Sequence, residues 1–221
     1  MTANAEIAAS REQARAALAG PGDWLTGAQR VDGWHEVRDA ATNRLDRERK
    51  QALSPASVAG EHDATAELSS AAVEVVHRVA SDPGRLTRAW AEKHIDALGA
   101  PMYTELVGVT AIAAVLDTFD LASGAGRREL PEPVEGAPAR IVPPDVGDVG
   151  AWIPQKLGPT MANVSRTLSG VPETNAAWRS LVDSHYSRGR EFAELTWNRA
   201  LSRPQTELVA ARVTALSECF Y

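Results

Sequence analysis

The chain has 221 residues, 44% of them hydrophobic and 24% charged, a balance that excludes a disordered protein and allows one sizeable core or two small ones. With 29 acidic against 23 basic residues and a net charge of −6, nucleic acid and anionic membranes are excluded as expected partners. The single cysteine, Cys219, excludes an intrachain disulfide and points to the reducing cytoplasm, while no apolar run approaches the ~18 residues of a membrane span and the charged, alanine-rich start does not read as a signal peptide.

Ala5 to Leu18 reads as a helix from its alanine, glutamate and arginine content, ended by Gly20-Pro21-Gly22. Trp24 to Ala52 reads as a second helical stretch, interrupted at Gly33 and closed by Ser54-Pro55, because the residue before a proline is pushed out of the helical region. Ser57 to Ser70 is polar and reads as a loop. Leu68, Ala72, Val75, Val76 and Val79 then recur at helical spacing up to the breaker Ser81-Asp82-Pro83-Gly84. Leu86 to Leu98 continues that period and ends at Gly99-Ala100-Pro101. Tyr103 to Phe119 is apolar on almost every face, which predicts a buried helix.

Seven of the 13 prolines and six glycines fall between Gly124 and Pro159, the composition of a linker or wrapping arm with Trp152 and Ile153 as anchors. Beyond it Pro159 to Leu168, Pro172 to Tyr186, Glu191 to Ala200 and Arg203 onward read as helices, and alternating strand patterns are essentially absent. The expected architecture is all-α: an N-terminal half over residues 1–123, the linker over 124–159, and a C-terminal half over 160–221.

The halves share a signature. Thr104-Glu105-Leu106-Val107 recurs as Thr206-Glu207-Leu208-Val209, an offset of 102 residues, and each copy opens a long apolar helix shortly after a proline. Arg88, Ala91 and Glu92 match Arg190, Ala193 and Glu194 at the same offset. A duplication of this kind predicts a pseudo-twofold pair in which both apolar helices are buried.

Two stretches carry a family resemblance: Ser81 to Phe119, and Trp152 to Tyr221 with Val171-Pro172-Glu173, Arg203-Pro204-Gln205-Thr206-Glu207-Leu208-Val209 and Ser217-Glu218-Cys219-Phe220-Tyr221. The chain resembles the carboxymuconolactone decarboxylase and alkylhydroperoxidase D superfamily. There a helix opens with Glu-Leu-Val, a cysteine follows twelve residues after the glutamate, and the motif runs on as Cys-x-x-Cys-x-x-x-His. Glu207 and Cys219 stand at that interval of 12.

The resemblance implies an all-α fold of two tandem half-repeats and a thiol-dependent, antioxidant peroxidase with Cys219 and Glu207 as catalytic residues. It also implies no cofactor or metal, a small-molecule peroxide and a thiol reductant as partners, and a homo-oligomer. The first copy holds Asp117 in place of the cysteine and is expected to be redox-silent. The second motif cysteine would fall just after Tyr221, and a UGA-encoded selenocysteine is the expected residue there, followed by the motif histidine. Without that partner, the 221-residue chain is expected to turn over peroxide slowly or not at all.

Twelve residues on one straight helix span about 18 Å and 120° of rotation, so Glu207 and Cys219 need a bend between them. Ser217 is a suitable N-cap for a restarted helix, which would place Cys219 in a first turn that favours a thiolate. Plainer roles stand beside these: a lone cysteine as a small buried hydrophobe, and Glu207 as a first-turn dipole partner. His185-Tyr186 reads either as a relay or, in preference, as a satisfied surface pair. His62-Asp63 and His77 show no ligands at metal spacing and read as structural, and Trp90, Trp178 and Trp197 read as core or subunit contacts. Two other functions remain open: a non-catalytic helical protein that self-assembles, and a lactone decarboxylase working by proton transfer, which the retained Cys219 disfavours.

Overall fold

The computed structural model describes residues 3–158, 163–186 and 200–217, among which lie nine helices and one two-stranded hairpin. The all-α expectation holds at that level. Most of the expected helix over Glu191 to Ala200, together with Trp197 and Cys219, lies outside the described residues.

Helix α1 (Ala3–Ala19) ends at the expected Gly-Pro-Gly. Helix α2 (Gly27–Ala40) starts at Thr26, whose hydroxyl accepts from the Gln29 N–H while the Gln29 side chain accepts from the Thr26 N–H, a reciprocal cap. The expected interruption at Gly33 does not occur. Gly33 is buried inside α2, where its missing side chain faces Val109 and Leu68. The break comes instead after Ala40, where Asn43 caps α3 (Arg44–Gln51) by accepting from the Leu45 N–H.

Helices α4 (Ser70–Ser81) and α5 (Arg88–Leu98) are capped by Ser69 and Thr87. Gly99 turns the chain with φ +80°, a conformation that favours glycine. Helix α6 (Ala100–Ala122) then starts three residues before the sequence places it, because Pro101 sits in the first turn, where a missing N–H costs nothing. Leu106, Val109, Ile112 and Leu116 on α6 are buried, and burial of each such side chain stabilises the fold by roughly 1.5–3 kcal/mol. They meet α1, α2, α4, α5 and α8 (Pro172–His185). Trp34, Val73, Val75, Val76, Ala177 and Leu181 complete the same cluster, with Trp90 and Trp178 packed on its edge. Gly108 lets α6 approach α8 closely, since a Cβ there would lie 2.6 Å from Thr174 Cγ2.

The Pro/Gly-rich segment wraps rather than dangles. Val134 donates to the Ala19 carbonyl at 2.7 Å, Ala139 to Gly22 at 3.0 Å and Arg140 to Asp23 at 2.7 Å. Strand β1 (Val146–Gly147) pairs antiparallel with β2 (Gln155–Lys156), Val146 opposite Lys156. Ile153 is buried and Trp152 is 42% exposed, so one of the two expected anchors engages the core. A short α7 (Asn163–Arg166) leads into α8.

Helix α9 (Arg203–Leu216) begins at Ser202, with Pro204 in its first turn. It buries no residue: Leu208, Val209, Val213 and Leu216 are 71%, 54%, 55% and 66% exposed. The two Thr-Glu-Leu-Val helices therefore occupy unlike surroundings within this chain, one in the core and one at its surface. No helix among the described residues is long and apolar enough to cross a membrane.

Candidate functional site

Glu207 lies in the second turn of α9, its side chain 43% exposed. The Tyr186 hydroxyl donates to Glu207 Oε2 at 3.2 Å, and Arg203 Nε approaches Oε1 to 3.8 Å. Burial first, and the Glu207 charge second, raise the Tyr186 pKa, so the tyrosine stays a proton donor. His185, beside it, receives a hydrogen bond from Ser184 or gives one to the Leu181 carbonyl, and burial lowers its pKa. Tyr186, read in the sequence as a satisfied surface residue, thus touches the candidate acid. Cys219 lies beyond the described residues. Ser217 is not an N-cap: with φ −89° and ψ 5° it closes α9 as a C-cap, its N–H returned to Val213 and Ala215, whereas an N-cap takes extended backbone.

The first-copy equivalents are held very differently. Glu105 is fully buried; Arg30 Nε stands 3.1 Å from its Oε1, and the Trp24 and Leu25 N–H groups donate to Oε2. Asp117, in the place matching Cys219, takes a two-pronged contact from Arg38, at 2.8 Å on each oxygen. Arg30 and Arg38 are two turns apart on α2, so one helix neutralises both carboxylates of another. Asp23 closes this network by accepting from the Thr174 N–H and hydroxyl and the Glu173 N–H, which caps α8 from outside. Burial pushes the Glu105 pKa up to about 7 against the pull of Arg30, and burial lowers that of Arg30. These groups are pinned within the core, and their arrangement is structural.

A second polar centre is denser. Asp46 comes from the first turn of α3, His62 from the loop before α4, and His77 from α4 itself. Asp46 Oδ2 stands 2.5 Å from His77 Nδ1 and 3.3 Å from His62 Nε2, and the two rings stack with centroids 4.0 Å apart. Each imidazole is held from behind by a carboxylate: His62 Nδ1 by Glu74 at 2.6 Å, and His77 Nε2 by Glu36 at 2.8 Å. Arg49 clamps Glu74 at 2.8 and 3.0 Å.

Burial alone would lower the His62 pKa, but the bond to Glu74 and the nearby Asp46 carboxylate outweigh that and raise it to about 9. Glu74 is pushed up by burial and pulled further down by His62 and Arg49, to about 2. Residue spacing does not reveal this centre, because its members lie 16 and 15 residues apart on three elements, and both histidines read as structural. The only local signal was the pair Glu74 and His77, one helical turn apart.

The chain matches no family model, no curated protein and no solved structure.

Proposed function

We infer that the protein is a thiol-dependent, alkylhydroperoxidase-like oxidoreductase. The observation that carries the reading is the 12-residue interval between Glu207 and Cys219, together with the resemblance it belongs to. The proton-donating Tyr186 hydroxyl on Glu207 supports it, because a relay carboxylate needs an exchangeable proton beside it.

In this mechanism the second nucleophile of the motif, a thiolate or selenolate, attacks one peroxide oxygen. The O–O bond breaks, an alcohol leaves after taking a proton, and a sulfenate or selenenate forms. The Cys219 thiolate attacks that group, the new S–S or S–Se bond displaces water, and an external dithiol returns two electrons by exchange. Glu207, with the motif histidine, carries the protons. Homo-oligomer formation belongs to the same reading and draws on the exposed apolar side chains of α9.

Steady-state peroxide consumption with a dithiol reductant tests the reading. Activity lost in Cys219→Ser and lowered in Glu207→Gln is the expected result. Robust consumption by the 221-residue chain that survives Cys219→Ser would refute it.

A further inference from the structure

The geometry points to a divalent transition-metal site of zinc type at Asp46, His62 and His77. It is independent of the peroxidase reading, being built on other residues in another part of the fold. One ligand atom from each of the three lies within 4.8 Å of the others. Their side chains are 1%, 5% and 1% exposed. Two imidazole nitrogens and one carboxylate oxygen are a donor set that borderline cations prefer, whereas calcium and magnesium take oxygen alone.

Three observations select a metal over a purely structural ion cluster. The first is His62 Nε2. It is buried and faces Asp46 Oδ2 at 3.3 Å, yet it makes no hydrogen bond. A buried nitrogen so placed forfeits a partner, which a metal ion would supply. The second is the backing of both rings. Histidines that bind metal almost always give their other N–H to a carboxylate, which fixes the tautomer and aims the free nitrogen. Glu74 does this for His62, leaving Nε2 to bind, and Glu36 does it for His77, leaving Nδ1.

The third is charge. Asp46, Glu36 and Glu74 carry three negative charges against the one positive charge of Arg49, an excess of negative charge that favours a bound cation. Asp46 also lines a surface hollow of about 390 Å³ with Arg47 and Ser81, whose walls include neither histidine.

The test uses the full chain, stripped with a chelator and dialysed against micromolar zinc, then assayed for bound metal and thermal unfolding. One equivalent per chain is expected, with Tm rising as zinc is added. Substituting cobalt should give visible ligand-field bands without sulfur-to-metal absorption in the near ultraviolet. Glu74→Gln should weaken binding by about 10–100-fold as a positioning change, and His62→Gln and His77→Gln should weaken it further. His35→Ala and Cys219→Ser should leave binding unchanged.

Binding below a tenth of an equivalent in the wild-type chain overturns the site. So does binding that survives His62→Gln and His77→Gln, or that is lost in His35→Ala or Cys219→Ser. Should the histidine variants fail to fold, the wild-type cobalt spectrum decides, since bands of sulfur origin would move the ion to Cys219.

Discussion

The same four residues, Thr-Glu-Leu-Val, open both α6 and α9, yet one glutamate is buried against Arg30 and the other is half in water beside Tyr186. Neither tetrapeptide determines this by itself. The difference lies in what α2 brings: Arg30 and Arg38 meet Glu105 and Asp117, so a helix that carries two carboxylates can sit in the core. Helix α9 has no such neighbour among the described residues, and its glutamate remains open to solvent and to chemistry. Burial turns a carboxylate into a strut, and exposure leaves it able to exchange protons.

The sharpest break of this contrast is removal of each glutamate. Glu105→Ala strands Arg30 in the core and should cost about 3–5 kcal/mol, while Glu207→Ala should stay within about 0.5 kcal/mol. Chemical denaturation of the two variants reads both. Equal losses would mean that α9 is as deeply engaged as α6. Truncating apolar positions asks the same of packing: Ile112→Ala should cost about 2–5 kcal/mol, and Val213→Ala, 55% exposed in the wild type, should cost less than about 1 kcal/mol.

Titration gives a finer distinction. Because the folded-state pKa of Glu105 is raised from 4.5 to about 7, the folded chain binds the proton more tightly than the unfolded chain. Its contribution is therefore fully present below pH 4.5 and is lost as pH climbs to about 7. The stability of wild type relative to Glu105→Gln should fall across that window and level off above it. A flat difference would place the ionised carboxylate in a far better solvated site than α6 offers.

Smaller effects follow from the glycines. Gly108→Ala should cost about 1–3 kcal/mol, because its Cβ would meet Thr174 Cγ2 at 2.6 Å across the α6 and α8 contact. Gly33→Ala should shift stability by less than about 1 kcal/mol, since the new Cβ meets Val109 Cγ1 at 3.5 Å and Leu68 Cδ1 at 3.9 Å, ordinary contacts inside a helix. Thermal unfolding of the pair separates a glycine required by packing from one that packing merely tolerates.

Much of the fold was legible in the sequence. Tyr103 to Phe119 announced the burial of α6 through apolar side chains on nearly every face, and Ser81-Asp82-Pro83-Gly84 stopped α4 where it ends. The errors have local causes. Gly33 looked like a break because glycine is a poor helix former, but tertiary contact with α6 overrides a cost of about 1 kcal/mol. Pro101 looked like a stop because a helix tolerates proline only in its first turn, which is where it lies.

The shared Thr-Glu-Leu-Val opening hid the exposure of α9, although Arg203, Gln205 and Arg212 make it more polar than α6. Glu207 was singled out by its spacing, but its contact with Tyr186 was not foreseen, because that contact joins α9 to the residue just after α8. The histidine centre escaped for the same reason: Asp46, His62 and His77 become neighbours only when α3 and the loop before α4 fold onto α4.

The arm after α6 sets a timescale of its own. Its backbone is fastened to the corner between α1 and α2 through the amides of Val134, Ala139 and Arg140, with exposed residues around them. In deuterated water those three protons should persist as isolated slow signals amid neighbours that exchange at once. Their common decay rate would then measure how often the strap lifts from the corner.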